Sequence, residues 1–286
     1  MTVALVIVAI LLGPYAGTTL FVASNTLVCW IVGRRVPMDA VQAAAFADRS
    51  AGAGARLLAV LREAWFQLRI WNADLLHGLG VRSDPPRMSS GTPVLLLPGY
   101  TEGKGAMGFL GRWLSSRGFR VELQAFPSTL ASIADNVAFL RTRVQAVLAE
   151  SGAGSVALVG HSMGGVIARA YVHTYPDDAT RVVVCFGSPQ RGTILAALGI
   201  GQSSKDMSIG SDHNRRFPIE RKGSVPIHSL VGMQDHIISP AWSFATLEGD
   251  NYVLCDPAGH DGPMFLHEGR ERLEQWLVAA GVDRVQ

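Results

Sequence analysis

From residue 93 onward, short runs of consecutive apolar residues alternate with stretches of helical periodicity. Residues 93–97 form such a run and end at the turn signal Pro98-Gly99, as expected of a buried parallel strand. Further strands are predicted at residues 119–126, 155–160, 181–187, 225–232 and 251–256. Repeated strand–helix units predict an α/β fold with a mostly parallel sheet and helices on both faces.

The N-terminal region has a different character, because residues 1–33 contain no Asp, Glu, Lys or Arg. About 20 apolar residues suffice to cross a bilayer, so residues 1–33 are predicted to be an uncleaved membrane segment. Gly13-Pro14 interrupts the run, so a tilted span and a hairpin are both compatible with it. A cleaved signal peptide and a buried soluble helix are the alternatives. Arg34 and Arg35 follow at once and favour a cytoplasmic location for the rest of the chain.

Residues 34–91 are predicted to be an amphipathic helical region followed by a linker. Apolar residues recur there at spacings of three and four: Leu57, Leu58, Leu61, Trp65, Leu68 and Trp71. Such a helix either packs on the rest of the chain or lies on a bilayer surface. The α/β domain then occupies residues 92–286. Within it, residues 194–223 depart from the strand–helix alternation and are expected to be a lid or binding loop, with an inert excursion as the alternative.

Gly160-His161-Ser162-Met163-Gly164 lies between a predicted strand and a predicted helix. This is the context that the G-x-S-x-G elbow requires. The turn is so tight that side chains at the two glycine positions would collide, and it leaves the serine exposed at a helix N-terminus, where negative charge is favoured. Ser162 is therefore the predicted nucleophile. The alternative is an ordinary glycine-rich turn with a helix-capping serine.

A serine nucleophile needs a base, and in this architecture the acid and the histidine follow it in the chain. Asp235 lies just past a predicted strand and is the favoured acid, with Asp256 as its rival. His260 lies in a glycine-flanked loop from which it can swing over the sheet edge, and His267 is its competitor. His161 is expected to line the pocket or to pack.

Two N–H donors are expected to stabilise an oxyanion at this site. The backbone of Met163, directly after the serine, supplies one, and Tyr100, in the loop after the first strand, is the best position for the other. The Tyr100 ring alternatively lines the pocket. The formal net charge of +2 does not suggest a nucleic-acid partner. The three cysteines have no metal-ligand spacing, so no metal or cofactor is predicted.

Five segments together resemble a known family: LLLPGYTEG, GHSMGGVIARAYV, FGSPQRGT, VGMQDHIISP and AGHDGPMF. From about Pro93 to the C-terminus the chain is similar to bacterial triacylglycerol-lipase-like α/β-hydrolases. The resemblance implies hydrolysis of lipid or short acyl esters through an acyl-enzyme. The chain departs from the family at Pro98, where the family has histidine, and at Gln190-Arg191, so the substrate stays open.

Together these features predict a serine lipase or esterase anchored in a bacterial inner membrane, with its catalytic domain in the cytoplasm. An acyltransferase that uses the same triad is the second hypothesis. A non-catalytic, membrane-anchored binding module is the third.

Overall fold

A computed structural model describes residues 2–33, 52–86, 88, 90–221, 223–239, 241–254 and 256–285. Its centre is a parallel sheet of six strands in the order β2-β1-β3-β4-β5-β6. The strands are β1 (Val94–Leu97), β2 (Val121–Leu123), β3 (Val156–His161), β4 (Thr180–Phe186), β5 (Ile227–Val231) and β6 (Asn251–Val253). The predicted parallel α/β sheet is thus confirmed. The strand order reverses at β1, and ligands of such sheets bind at the strands' carboxyl ends near this point.

Helices cover both faces of the sheet. The α-helices of the described residues are α1 (Thr2–Gly33), α2 (Ala53–Gly78), α3 (Gly108–Ser116), α4 (Ile133–Ser151), α5 (Met163–Thr174), α6 (Gly201–Asp206), α7 (Asp212–Arg216), α8 (Gly262–Phe265) and α9 (His267–Ala279). Val94 and Leu96 of β1 join a core with α2, α3 and α9, and Leu95 and Leu97 join another with α4 and α5. Alternate side chains of one strand therefore bury on opposite faces, as the continuous apolar runs predicted.

Helix α2 packs on the α/β domain through a face made mostly of small and apolar residues. Its buried residues are Ala59, Glu63, Ala64, Phe66, Ile70 and Ala73. Phe66 stacks on Phe265 with ring centroids 4.7 Å apart. The stripe of larger residues that the sequence pattern singled out faces outward, with Leu57, Trp65 and Trp71 exposed by 61%, 52% and 49%. The first part of the predicted amphipathic region, residues 34–51, lies outside the described residues.

Helix α1 lies against α2 and against the loop after β5. The Tyr15 hydroxyl donates to the Leu61 carbonyl at 3.0 Å, and the Cys29 thiol donates to the His236 carbonyl at 3.3 Å. Side chains are described for residues 13–29 of this helix. Within the described part of the chain, no helix has both the length and the apolar character that crossing a membrane requires.

Candidate active site

The turn between β3 and α5 places Ser162 at the carboxyl end of the sheet. Ser162 has φ 50° and ψ −117°, and α5 begins at the next residue. Among the described non-glycine residues, only Ser162 and Thr101 have a positive φ. A backbone conformation of this kind costs on the order of 1–3 kcal/mol, and it concentrates at functional sites. The Ser162 N–H donates to the Phe186 carbonyl at 2.8 Å, which holds the elbow against β4.

The two glycines of the elbow are required by close backbone approach. A Cβ at Gly160 would lie 2.3 Å from the Gly165 nitrogen, and a Cβ at Gly164 would lie 2.4 Å from the Leu97 oxygen. Neither contact leaves room for a side chain. The steric reason given for these glycines from the sequence therefore agrees with the packing.

Asp235 and His260 lie together in a buried pair, 2.9 Å apart between carboxylate Oδ2 and ring Nδ1. The other oxygen of Asp235 accepts the N–H groups of Ile237 at 2.8 Å and Ile238 at 2.7 Å. Burial alone raises the pKa of Asp235, but the neighbouring charge and hydrogen bond of His260 hold it below its usual value. Asp235 is therefore an ionised partner for the histidine ring.

The rival residues lie away from this pair. Asp256 is exposed, and its backbone N–H donates to Glu268 at 3.2 Å. The His267 side chain is 75% exposed and pairs with Glu271 on the same helix. Neither residue is placed to complete a triad.

His260 borders the nucleophile elbow. Its ring centroid lies 4.9 Å from that of His161, the residue before Ser162. Its ring also packs on Gly187, next to the Phe186 carbonyl that accepts the Ser162 N–H. No hydrogen bond of the described residues joins the Ser162 hydroxyl to His260. Such bonds are often long or poorly aligned before substrate binds.

The predicted oxyanion donors flank the elbow. Met163 is the first residue of α5, so its N–H has no partner within the helix. No hydrogen bond of the described residues uses the Tyr100 N–H. The Tyr100 hydroxyl donates to the Ile200 carbonyl at 2.8 Å and accepts the Ile200 N–H at 2.9 Å. The Tyr100 side chain thus ties the loop after β1 to the 194–223 segment.

A second charged cluster surrounds His161, the residue before Ser162. His161 Nδ1 is 3.0 Å from Glu102, and its Nε2 is 3.5 Å from Asp261. Burial opposes protonation of His161, but the charge and hydrogen bond of Glu102 raise its pKa to about 9. Burial raises the pKa of Asp261 well above its usual value. His161, which was predicted to line the pocket or to pack, is therefore a charged group between the ionised Glu102 and the protonated Asp261.

His161, His260 and Asp261 also offer ligand atoms that lie within 4.8 Å of one another. Both histidines already use their Nδ1 atoms with carboxylates, which leaves the Nε2 atoms for a cation. A metal there would occupy the nitrogen that His260 would need as the predicted base. A resident metal is therefore incompatible with the role predicted for His260.

The 194–223 segment adjoins the site and is tied to the domain at several points. The Ile194 N–H donates to Ser239, and the Gln202 N–H donates to Leu130, both at 2.8 Å. Arg169 donates to the Phe217 carbonyl at 3.0 Å. The segment also exposes Leu198 and Ile200, by 80% and 67%. The segment therefore exposes apolar side chains while hydrogen bonds hold its backbone to the rest of the domain.

Sequence reasoning missed two acidic residues of this region. Glu102 accepts the Gly99 N–H and pairs with His161. Glu63 of α2 is buried and accepts backbone N–H groups of the His260 loop. Glu102 falls within the segment LLLPGYTEG, but no local pattern links Glu63 to a loop almost two hundred residues later.

Comparison with known proteins supports the same architecture. Residues 92–207 match the family model described as alpha/beta hydrolase fold. No curated protein sequence matches the chain. The solved structures that resemble it include Aspergillus fumigatus lipase B, with 18% identity and a TM-score of 0.56 over 64% of this chain and 52% of that one. This chain thus spans about half the length of that lipase.

Two shorter proteins are matched over nearly their whole length. Bacillus licheniformis lipase BlEst2 in mature form has 13% identity and a TM-score of 0.56 over 70% of this chain and 96% of that one. Paleococcus ferrophilus monoacylglycerol lipase has 19% identity and a TM-score of 0.53 over 67% and 97%. At these identities the likeness shows the fold. With the elbow and the parallel sheet, the chain has the α/β-hydrolase fold.

Proposed function

We propose that this protein is a serine carboxylester hydrolase, a lipase or esterase that works through an acyl-enzyme. The observation that carries the proposal is the buried Asp235–His260 pair beside a strained serine at a strand-to-helix elbow. Nucleophile, base and acid are recognised by such geometry rather than by sequence position. The lipases among the structural neighbours support the choice of an ester substrate.

The proposed reaction has two halves. Ser162 Oγ attacks the ester carbonyl while His260 Nε2 takes its proton, and Asp235 stabilises the resulting imidazolium. The N–H groups of Met163 and Tyr100 stabilise the oxyanion. Collapse of the intermediate breaks the ester C–O bond, and His260 protonates the departing alcohol. Water then attacks the acyl-enzyme and gives a proton to His260. His260 returns this proton to Ser162 Oγ as the bond from Oγ to the acyl carbon breaks, which releases the acid and regenerates the serine.

The segment at residues 194–223 is proposed to contact the acyl chain. It is joined to the proposed oxyanion residue by the paired hydrogen bonds between Tyr100 and Ile200. Its exposed residues Leu198 and Ile200 supply apolar surface near the site. An acyl chain that covers them would remove this surface from water, so longer acyl esters are expected to bind more tightly.

The N-terminal region is proposed to associate with a bilayer, with the catalytic domain on the cytoplasmic side of a bacterial inner membrane. Support comes from the absence of charged residues in 1–33 and from the exposed stripe with Leu57, Trp65 and Trp71 on α2. Fractionation of cells that express the full chain tests this. Recovery in the carbonate-washed membrane pellet, with the C-terminal domain protected from external protease, is expected. Recovery in the soluble fraction would contradict it.

The decisive test of the catalytic proposal is labelling by a fluorophosphonate probe. Wild-type protein should be labelled, and the Ser162→Ala variant should not. Wild-type protein that resists labelling would instead favour a binding module. A series of p-nitrophenyl esters of increasing chain length, run with detergent present, then reports the substrate preference. Product analysis with added alcohol detects transfer to an acceptor other than water.

A further inference from the structure

We propose that Glu63, on a helix that precedes the hydrolase domain, is the residue that positions His260 for catalysis. Its carboxylate accepts three backbone N–H groups of the loop that carries the histidine. Gly259 and Gly262 donate to Oε1 at 2.8 and 2.9 Å, and Asp261 donates to Oε2 at 2.7 Å. These donors bracket His260 on both sides. The inference rests on the proposed function, because it assigns His260 as the base.

Gly259 and Gly262 are the positions at which the Glu63 side chain packs against the backbone of the His260 loop. A Cβ at Gly259 would lie 2.4 Å from Glu63 Cγ, and a Cβ at Gly262 would lie 2.8 Å from Glu63 Oε1. The sequence pattern suggested that these glycines give the histidine freedom to swing. The contacts indicate the opposite role, because the missing side chains let a buried carboxylate fix the backbone.

Glu63 and Asp261 are neighbouring buried carboxyl groups, of which one is ionised and the other protonated. Burial raises the pKa of Glu63 to about 7, although its three N–H partners act to lower it. Both carboxylate oxygens of Asp261 are buried without a hydrogen-bond partner among the described residues. A carboxylate with three hydrogen-bond donors is a better place for negative charge than Asp261, whose contact with His161 Nε2 is 3.5 Å long. Glu63 is therefore the ionised member and Asp261 the protonated one.

Helix α2 also contacts the chain that follows Tyr100, on the other side of the site. Asp74 of α2 accepts the N–H groups of Gly103 at 2.9 Å and Ala106 at 2.6 Å, directly after the loop with Tyr100. Arg62 donates to the Pro257 carbonyl at 3.3 Å. Helix α2 thus fixes two loops that come from distant parts of the chain, and Glu63 is its contact with the backbone on either side of His260.

The Glu63→Gln variant tests the proposal. One amide oxygen cannot replace a two-oxygen acceptor, and the new NH₂ group would face an N–H donor of the loop. Displacement of a catalytic group by about 1 Å can cost up to ~100-fold in rate. We expect kcat for a p-nitrophenyl ester to fall about 10- to 100-fold, with KM changed less than about twofold.

A spectroscopic measurement separates positioning from general stability. The proton shared by His260 Nδ1 and Asp235 gives a low-field NMR resonance, which should shift or broaden in Glu63→Gln. The matched control is Glu274→Gln, because Glu274 is also a buried glutamate but pairs with Arg117 and Arg284. This control should keep the wild-type kcat and resonance, even if it lowers the melting temperature.

Glu63→Asp is a second variant that keeps the charge and shortens the side chain by one methylene. It should show a smaller loss of kcat than Glu63→Gln, and it serves as the measurement if the glutamine variant does not fold. Folded variants with the wild-type kcat and an unchanged resonance would overturn the proposal. If wild-type protein is not labelled by fluorophosphonate, the proposed function itself fails. Labelling of wild type and Glu63→Gln at equal rates refutes only the role of Glu63.

Discussion

One oxygen of the Asp235 carboxylate lies 2.9 Å from Nδ1 of His260, while the other accepts two backbone N–H groups. The carboxylate is therefore fixed from both sides, and it selects the tautomer whose Nε2 is free to accept a proton. An Asp235→Asn variant would present an NH₂ group to the ring and favour the wrong tautomer. We expect kcat to fall by up to ~10⁴-fold while the fold is retained.

Asp256→Asn is the control for this variant, because Asp256 is exposed and its backbone N–H, rather than its carboxylate, donates to Glu268. Steady-state kinetics should show a kcat within about twofold of the wild type. A large loss in Asp256→Asn, together with a mild effect in Asp235→Asn, would show that the acid has been assigned to the wrong residue.

Two substitutions of Ser162 distinguish the loss of its hydroxyl from the relief of its backbone strain. Ser162→Ala and Ser162→Gly should both lose turnover, because neither has a hydroxyl. Glycine adopts a positive φ without penalty, so Ser162→Gly should be the more stable of the two, by up to about 2 kcal/mol. Urea unfolding measures this difference. A glycine variant less stable than the alanine variant would mean that the elbow is not strained.

The elbow glycines provide a prediction about stability. Gly160→Ala places a Cβ 2.3 Å from a backbone nitrogen, whereas Gly154→Ala, just before the same strand, meets no heavy atom within 4 Å. Gly160→Ala should therefore cost more than about 3 kcal/mol in the free energy of unfolding, or prevent folding. Gly154→Ala should stay within about 1 kcal/mol of the wild type. Equal stability of the two variants would rule out the close approach at Gly160.

The charge on His161 should make stability depend on pH. Its pKa is raised from 6.5 to about 9, so the folded protein holds a proton that the unfolded chain releases in this range. The stabilisation is fully present below pH 6.5 and is lost as the pH rises through 9. Compared with His161→Gln, the wild type should lose on the order of 3 kcal/mol across this window.

Denaturant titrations at several pH values between about 6 and 10 measure this difference. The exposed His267 supplies the control, because His267→Gln removes a surface histidine that lies outside the buried cluster. A constant difference between the wild type and His161→Gln would show that His161 does not carry a buried charge.

Local sequence patterns predicted the features that depend on close neighbours in the chain. Ser132 and Asp135 have the spacing that is typical of a helix start, and the Ser132 hydroxyl accepts the Asp135 N–H at the start of α4. Gly152 ends that helix with φ 66°. The continuous apolar runs predicted strands buried on both faces. The elbow was also recognisable, because its glycines and its serine lie within five consecutive residues.

Features that depend on distant parts of the chain escaped the same reasoning. Glu63 meets a loop that follows it by almost two hundred residues, and a lone glutamate in an amphipathic helix usually faces solvent. The large apolar residues of α2 have the spacing of a buried helix face, but they lie on its exposed side. The buried face instead contains Ala59, Ala64 and Ala73, small residues that let the helix approach the domain closely. These alanines lie on the same buried helix face as Glu63, and they are the sequence pattern that could have indicated its burial.

The three hydrogen bonds to Glu63 set a limit on how the enzyme can be shortened. A recombinant fragment that starts at residue 92, where the family match begins, would leave the amides of residues 259, 261 and 262 without their acceptor. Each unpaired buried donor costs about 1–3 kcal/mol, and a whole domain is stable by only about 5–15 kcal/mol. Expression trials should therefore retain the chain from before residue 53, even though the sheet and the proposed triad all lie downstream of it.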